Sequence, residues 1–424
     1  MKNNYFPMHG LSATDAYEKI NVQLGGDGDT NFDLGSFTST QMPKQCEQLY
    51  LENLDKNLVN VNEYPESLYI ESYLAHSIAE LLNAPDLHAI YGKSTAGSSE
   101  AIAMAMLMHK YSWIKKTGNN SSQQTPNIVF GSDIHLSWHR FAKYFSIEVR
   151  EIPLLENNIY PFNDVIDNVD ENTICIVANV GSTYTGSCDP IDKLNQSLKV
   201  INKQYGYDVG IHIDAAVGGF VLPFLKTPDD YHWDFRSDLV RSINLSSHKF
   251  GMVYPGLGWL IVRNKTLVDN SLLLDYNYLC GNSQSFSLNF SRPVAPVIAQ
   301  YYLFLHLGFV GYQRVIGQCQ DIAIFLRDKL EATGLFFVIS EMKIPVLAFQ
   351  FANSPPFNEE VFVNALKNTG WMLPCYQLKT PSKPYVMRIV VRHTATKQMY
   401  LQLIDDLVNT YCALLKKLET VSGA

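Results

Sequence analysis

The sequence predicts an α/β protein: a large domain on a mostly parallel sheet with helices on both faces, then a smaller α+β unit. Three observations predict it. Short β-branched runs alternate with helical stretches through the middle of the chain, which is the pattern of a parallel sheet covered on both sides. The texture changes near Cys319, where strands and helices no longer alternate in this way. The length of 424 residues, with 46% hydrophobic and 17% charged, suits two or three domains sharing sizeable cores.

The segment up to Asn31 is polar and Gly-rich near Gly25 to Asp29, and predicts an arm or a first helix followed by a turn. Apolar residues recur at helical spacing from Glu66 to Leu82, and Asn83-Ala84-Pro85 ends that helix. Asn127–Phe130, Thr173–Val177, Val209–Ile213, Ser242–Leu245 and Trp259–Val262 read as strands, and Ser99–Lys116 and Asp192–Gln204 as helices between them. The apolar window Ile298–Val310 reads as a buried helix. Beyond it come a helix to about Thr333, strands near Phe336–Ile339 and Val346–Phe351, a helix from Glu359, a strand near Val386–Val391 and a final amphipathic helix. The boundary is expected near Gly317, dividing the chain into an arm (1–31), a large domain (32–318) and a small domain (319–424).

Composition excludes several functions. A net charge of −8 argues against a general nucleic-acid binder, and no apolar run approaches the roughly 18 residues of a membrane span. Met1 to Gly10 lacks the order of a signal peptide. The seven cysteines form no CxxC pair, so a reducing cytoplasmic setting is expected and a structural zinc site is not. His135 and His139 have the spacing of a helical metal pair but lack the Glu of HExxH.

In an open α/β sheet, ligands sit beyond the carboxyl ends of the strands. Three motifs fall there. Ser94-Thr95-Ala96-Gly97-Ser98-Ser99-Glu100 opens a helix, where hydroxyls and the first N–H groups can hold an anion; alone, it reads equally as an ordinary Ser cap. His212-Ile213-Asp214-Ala215-Ala216 ends an apolar strand, and its carboxylate can keep a heteroaromatic nitrogen protonated while small Ala216 leaves room for a flat ring. Taken alone, Asp214 could be a helix cap or a metal ligand. Ser246-Ser247-His248-Lys249-Phe250-Gly251 follows a strand, and a partly desolvated lysine there can condense with an aldehyde; most lysines are simply solvated. Together the three supply a phosphate cradle, an acid and an amine, which are the needs of pyridoxal 5′-phosphate (PLP).

Along nearly the whole chain the sequence resembles the PLP-dependent group II decarboxylases, and among them the bacterial glutamate decarboxylases. The resemblance is carried by Asn62-Glu63-Tyr64-Pro65, Gly97-Ser98-Ser99-Glu100-Ala101, Trp138-His139, Thr183-Tyr184-Thr185-Gly186 and His212 to Ala216. It continues through Ser247-His248-Lys249-Phe250-Gly251, Asn289-Phe290-Ser291-Arg292-Pro293 and Val386-Met387-Arg388-Ile389. It implies the fold type I, PLP-dependent transferase-like architecture with a seven-stranded type of sheet. It also implies α-decarboxylation of an amino acid, L-glutamate to 4-aminobutanoate first, with aspartate, cysteine sulfinate or a different PLP-dependent lyase reaction as alternatives.

Residue by residue, the resemblance implies that Lys249 bonds to the cofactor and Asp214 pairs with its ring nitrogen. Ser98, Ser99 and His248 hold the phosphate with Phe290 and Ser291 of a neighbouring subunit; Ser246 also binds the cofactor, and Thr183, Ala216 and His135 flank the ring. Ser36, Phe37, Asn57, Asn60 and Arg388 meet the substrate, Arg388 taking its α-carboxylate; a structural salt bridge between domains is the plainer role for that arginine. A lid between about Leu273 and Phe286 carries Tyr278 as the proton donor, although Leu272-Leu273-Leu274 could as easily be core.

Three positions depart from the bacterial pattern: Ser36 replaces Thr, Asn60 replaces an Asp reaching in from the other subunit, and His135 replaces Gln. An Asn amide donates at any pH, whereas an Asp donates only when protonated, so activity less confined to acid is expected. The ends lack the long arm and the His-containing tail of the bacterial enzymes, and His393 does not replace that tail. A homodimer without tail-mediated pH gating is expected, a higher oligomer being left open. A non-catalytic binding protein on the same fold is the rival reading, but it would be expected to lose Lys249 or Asp214; an aldehyde-forming enzyme would differ in its product.

Overall fold

Strands buried on both faces need apolar runs rather than alternation. The computed structural model, which describes residues 7–422 apart from 40, 61, 119–123, 227–230 and 277–282, buries every residue of four such runs. The chain begins with α1 (Ala13–Leu24), α2 (Lys44–Glu52) and α3 (Pro65–Leu81). Next come β1 (Tyr91–Thr95), α4 (Ser98–Thr117), β2 (Asn127–Gly131), α5 (Leu136–Tyr144) and β3 (Glu148–Ile152). Then follow α6 (Phe162–Asp167), β4 (Thr173–Asn179), α7 (Ile191–Tyr205), β5 (Gly210–Asp214), β6 (Val240–Ser246) and β7 (Gly258–Val262). A short hairpin, β8 (Leu274–Tyr276) and β9 (Ser283–Ser285), leads to α8 (Ala295–Ala332). The C-terminal unit comprises β10 (Phe336–Val338), β11 (Val346–Phe351), α9 (Glu359–Leu366), β12 (Cys375–Gln377), β13 (Tyr385–Val390) and α10 (Lys397–Ser422).

The seven-stranded sheet has the order β1-β7-β6-β5-β4-β2-β3, with β7 antiparallel to both its neighbours and the β6-to-β3 side parallel throughout. The β5–β6 register sets His212 beside Ser242 and Asp214 beside Asn244. All five expected strands of this sheet are present with ends within two residues. β1 and β3 escaped the sequence reading because they lie at the two edges, where Tyr-Gly-Lys-Ser-Thr and Glu-Val-Arg-Glu-Ile need only partial burial and carry no apolar run. The second sheet is antiparallel, in the order β10-β11-β13-β12.

Gly317 lies inside α8, which is continuous between the units and kinked only at Gly308, φ 57°. The core-facing residues of α8 nevertheless change allegiance there: Tyr312 and Ile316 join the main core, while Cys319 and Ala323 join the second core. The expected buried helix over Ile298–Val310 is a helix, but Leu305, Phe309 and Val310 are exposed in the single chain, because only the side facing the sheet domain has something to pack on. In the arm, α1 is capped by the Ser12 side chain and has no buried residue.

Residues 32–34, expected to open the large domain, belong by packing to the C-terminal unit. Leu34 is buried in the second core, its N–H donates to Met372 O (2.9 Å), and its carbonyl accepts from Val390 N (2.8 Å). Five residues on, Ser39 donates from N to His248 O and from Oγ to Lys249 O, both at 2.8 Å. The segment is therefore a strap from the small unit to the Lys249 loop, and it carries Gly35, Ser36 and Phe37 across the mouth of the sheet.

Candidate active site

The carboxyl ends of β4, β5 and β6 and the first turn of α4 converge on one cavity of about 310 Å³. Its walls include Ser98, Ser99, His135, Asn179, Thr183, Asp214, Ala216, Ser246, His248 and Lys249. All nine of the residues expected around the cofactor from this chain's own motifs are thus brought together.

One end of the cavity is built by the first turn of α4. Gly97 is the N-cap rather than a Ser, and the sequence's Ser-Ser pair forms the first turn. The first N–H groups of a helix have no intrahelical partner, and Ser98 Oγ and Ser99 Oγ stand beside them, bonded to Ser246 Oγ (2.6 Å) and Ser137 Oγ (2.8 Å). A Cβ on Gly258 of β7 would lie 2.6 Å from Gly97 C, so glycine is what lets the strand approach this turn. Glu100 reads from sequence as a first-turn charge, but its carboxylate takes the N–H groups of Ala96 (2.7 Å), Leu288 and Asn289 (3.1 Å each), fastening the turn to the 288–289 loop.

Asp214 closes β5. It accepts from Trp138 Nε1 (2.9 Å), Asn244 Nδ2 (3.0 Å) and Ala216 N (3.1 Å). Burial opposes its charge, yet the Trp138 and Asn244 hydrogen bonds, with Lys249 nearby, hold the carboxyl below the usual carboxylate range. Lys249 is partly buried; desolvation, resisted by Asp214 and reinforced by Arg388, lowers its ammonium to about 8. Its Nζ lies 4.9 Å from the centre of the Phe37 ring, and the Arg388 guanidinium lies 4.7 Å from the same ring. Arg388 donates to the carbonyls of Thr183 and Gly35, so its plane is fixed, and its Nε is buried without a partner. The salt-bridge role weighed for it is not found: among the described residues it pairs with carbonyls and rings, not with a carboxylate.

His135 caps α5, with Nδ1 accepting from Ser137 N (3.2 Å). That lone pair leaves the proton of the neutral ring on Nε2, and burial favours the neutral form. Two further polar atoms, Ser247 Oγ and His248 Nδ1, are buried without a hydrogen-bond partner. Unmet donors at the helix end, a retained carboxylate and a lysine pushed toward its neutral amine are the complement of a flat aldehyde bearing a phosphate. The residues fit PLP.

Other expected residues lie elsewhere. Ser36 Oγ accepts from Thr38 N (3.1 Å) just outside the cavity. Asn57 Oδ1 accepts from Val59 N (3.2 Å) and Arg292 N (3.0 Å), and Asn60 Nδ2 donates to Glu63 Oε2 (3.1 Å); neither lines this chain's cavity. Phe290 and Ser291 are exposed and also outside it. These two loops adjoin, since Leu58 N donates to Arg292 O at 2.9 Å. Tyr278 and its neighbours in 277–282, the middle of the expected lid, lie outside the described residues. Sequence reasoning assigned no role to Trp138, Asn179 or Asn244. A signal for Asn244 existed in Ser242, Asn244 and Ser246, polar at every second position of a strand with no other exposed need.

Comparison with known proteins agrees with this geometry. The family described as "Pyridoxal-dependent decarboxylase conserved domain" matches residues 27–352. A protein of Petunia hybrida named glutamate decarboxylase is 38% identical over 407 residues, 95% of this chain and 81% of the relative. One of Aliivibrio fischeri with the same name is 37% identical over 401 residues, 92% of this chain and 85% of its own. The solved glutamate decarboxylase of Lactobacillus brevis is 32% identical, with a TM-score of 0.92 over 97% of this chain and 94% of that one. A sphingosine-1-phosphate lyase of Burkholderia pseudomallei, 21% identical with a TM-score of 0.79 over 96% of this chain and 91% of its own, shares the fold. Among the described residues, no helix is long and apolar enough to cross a membrane.

Proposed function

From the premise that this chain belongs to the pyridoxal-dependent decarboxylase family, we propose that it converts L-glutamate and a proton to 4-aminobutanoate and carbon dioxide. The enzyme is a PLP-dependent carboxy-lyase. The observation that carries the substrate reading is the line Lys249–Phe37–Arg388: two cations on one ring, starting at Lys249, which lines the cavity with Asp214, and running through Phe37 to Arg388 beside that lining. Relatives of plant and bacterial origin that bear the name glutamate decarboxylase support glutamate over other amino acids.

When bound, PLP supplies an electron sink for the pair left on Cα as its carboxylate departs. The protein's own residues do the rest. Asp214 keeps the ring nitrogen protonated, Lys249 offers the amine, and His135 and Ala216 confine the ring. Arg388, with its fork held by Thr183 and Gly35, receives the α-carboxylate and orients the bond to be broken. Phe37 and the strap keep water from the two cations. Tyr278 is proposed as the donor of the proton that replaces carbon dioxide on Cα.

The same reading includes a homodimer in which Asn57, Asn60, Phe290 and Ser291 serve the partner's site. Support comes from the contact between the two loops that carry them and from their absence from this chain's own cavity lining. It also includes a cytoplasmic setting and the division at 318/319, supported by the exchange of cores along α8.

The purified enzyme with PLP, presented with a panel of amino acids, is expected to release carbon dioxide and 4-aminobutanoate in equal amounts from L-glutamate. Carbon dioxide from aspartate or cysteine sulfinate but not from glutamate would replace the substrate. An aldehyde product would replace the reaction.

A further inference from the structure

Behind Asp214, away from the cavity, a line of polar side chains crosses the buried face of the sheet. Asn244 Nδ2 donates to Asp214 Oδ1 at 3.0 Å, and Asn244 Oδ1 lies 2.8 Å from His212 Nε2. His212 Nδ1 lies 2.7 Å from Ser242 Oγ, and Ser242 Oγ lies 3.0 Å from His109 Nε2. All five side chains are buried. The β5–β6 register makes two of these steps, and α4 brings His109 onto the same face.

Their protons can be placed without seeing them. A carboxylate only accepts, so the Asn244 amide nitrogen must face Asp214 and its oxygen must face His212. His212 Nε2 must then carry a proton. In a neutral ring Nδ1 is a lone pair, so the Ser242 hydroxyl donates to it. The hydroxyl oxygen is left to accept, and His109 Nε2–H donates to it. Burial favours neutral rings at both histidines: it takes His212 to about 4 and His109 well below its ordinary value. Every donor in the line therefore points the same way, toward Asp214, and aligned hydrogen bonds polarise one another.

We infer that His109 and Ser242 are positioning residues for the cofactor's ring nitrogen, acting through a one-way hydrogen-bond chain that ends on Asp214. The chain fixes the His212 tautomer, which fixes the Asn244 amide, which keeps one Asp214 oxygen occupied and the carboxylate ionised. The inference rests on Asp214 pairing with the PLP nitrogen. The bland alternative is that His109 merely fills space beneath the sheet, where its ring stands edge-on to that of His212 at 6.2 Å.

Three variants separate these roles: His109→Leu keeps bulk and loses the donor, His109→Gln keeps a donor, and Ser242→Ala breaks the chain one step nearer. In cofactor-free protein labelled with ¹⁵N-histidine, His109 and His212 are expected as neutral Nε2–H tautomers, and Ser242→Ala is expected to shift the His212 Nδ1 resonance. Titration with PLP, followed by its visible absorption, is expected to give a dissociation constant raised about three- to tenfold in His109→Leu and Ser242→Ala. His109→Gln is expected to restore it. Melting temperature serves as the structural control, and should His109→Leu not fold, the comparison of Ser242→Ala with His109→Gln and wild type decides. A His212 Nδ1–H tautomer, or equal PLP dissociation constants and spectra for wild type and the folded variants, would overturn the inference. Wild-type protein that takes up no PLP would instead overturn the cofactor pairing on which it rests.

Discussion

Glu71 and Asp214 are both carboxylates buried in the large domain, one bonded to Ser94 just ahead of the first turn of α4 and the other lining the cavity with that turn, and their surroundings differ in kind. Glu71 accepts from Arg292 Nη1 (2.6 Å), Lys93 Nζ (3.1 Å), Ser94 N (3.2 Å) and Ser94 Oγ. Burial opposes its charge, but Lys93 and Arg292 outweigh it and bring the carboxyl to about 2. Burial and Arg292 pull Lys93 downward against the upward pull of Glu71, and Arg292 makes the shorter of the two contacts with that carboxylate, 2.6 Å against 3.1 Å. Around Asp214, by contrast, Ser247 Oγ, His248 Nδ1 and Arg388 Nε are buried with no partner, and Lys249 sits at about 8. Buried charge alone does not mark a site. Buried charge surrounded by unmet hydrogen-bonding capacity does.

The largest contrast is expected from removing one charged side chain on each side. Lys249→Ala should cut carbon dioxide release by roughly a thousandfold or more. Its melting temperature should hold or rise, because a desolvated amine is removed. Glu71→Ala should do the reverse. Breaking a buried ion pair costs about 3–5 kcal/mol, read in guanidinium unfolding, with specific activity of the folded fraction largely kept. Adding Arg292→Met to Glu71→Ala should recover part of that loss. A Lys249→Ala protein as destabilised as Glu71→Ala would erase the distinction.

Acid sharpens the same contrast. The folded-state carboxyl of Glu71 lies below its unfolded value, so its contribution is full above about pH 4.5 and is lost as pH falls toward about 2. Glu71→Gln should flatten the stability curve in that window. On the chemical side, Arg388→Lys keeps the charge but loses the fork. A drop of about 10- to 100-fold in kcat/KM is expected, with unfolding little changed. An equal loss of stability would mean that Arg388 chiefly ties the strap to the small unit.

The sequence shows short-range chemistry well and long-range assembly poorly. Ser98, Asp214 and Lys249 each sit at the end of a strand or the start of a helix whose pattern is local, and the sheet topology alone gathers them. Phe37 and Arg388 arrive from a strap and from the second sheet, so only the family resemblance pointed to them. Trp138 and Asn244 act on Asp214 from 76 and 30 residues away, through packing and a strand register that no local pattern encodes. β1 and β3 were hidden for the related reason that edge strands need no apolar run.

The smallest effect expected is at the rim, where Asn60 tests whether the two-subunit reading of the site holds. Its amide donates to Glu63 Oε2 at 3.1 Å, and its loop adjoins the one that carries Phe290 and Ser291. In Asn60→Asp the new carboxyl would face Glu63. Two carboxylates so close raise each other's affinity for a proton, by about one pH unit or more. The variant could donate a hydrogen bond to a substrate carboxylate only while protonated. Its kcat/KM for glutamate should therefore match the parent at acid pH and fall away as pH rises through about 5 to 6, while the parent profile extends further toward neutrality. Since the donor is proposed to act on the partner's substrate, mixed dimers of Asn60→Asp with Lys249→Ala provide the decisive form of the test. The one competent site in each holds the intact Lys249 of the Asn60→Asp chain and the unaltered Asn60 of its partner, so it should regain the parent profile. If that site keeps the acid-confined profile, Asn60 serves its own chain and the two-subunit assignment fails.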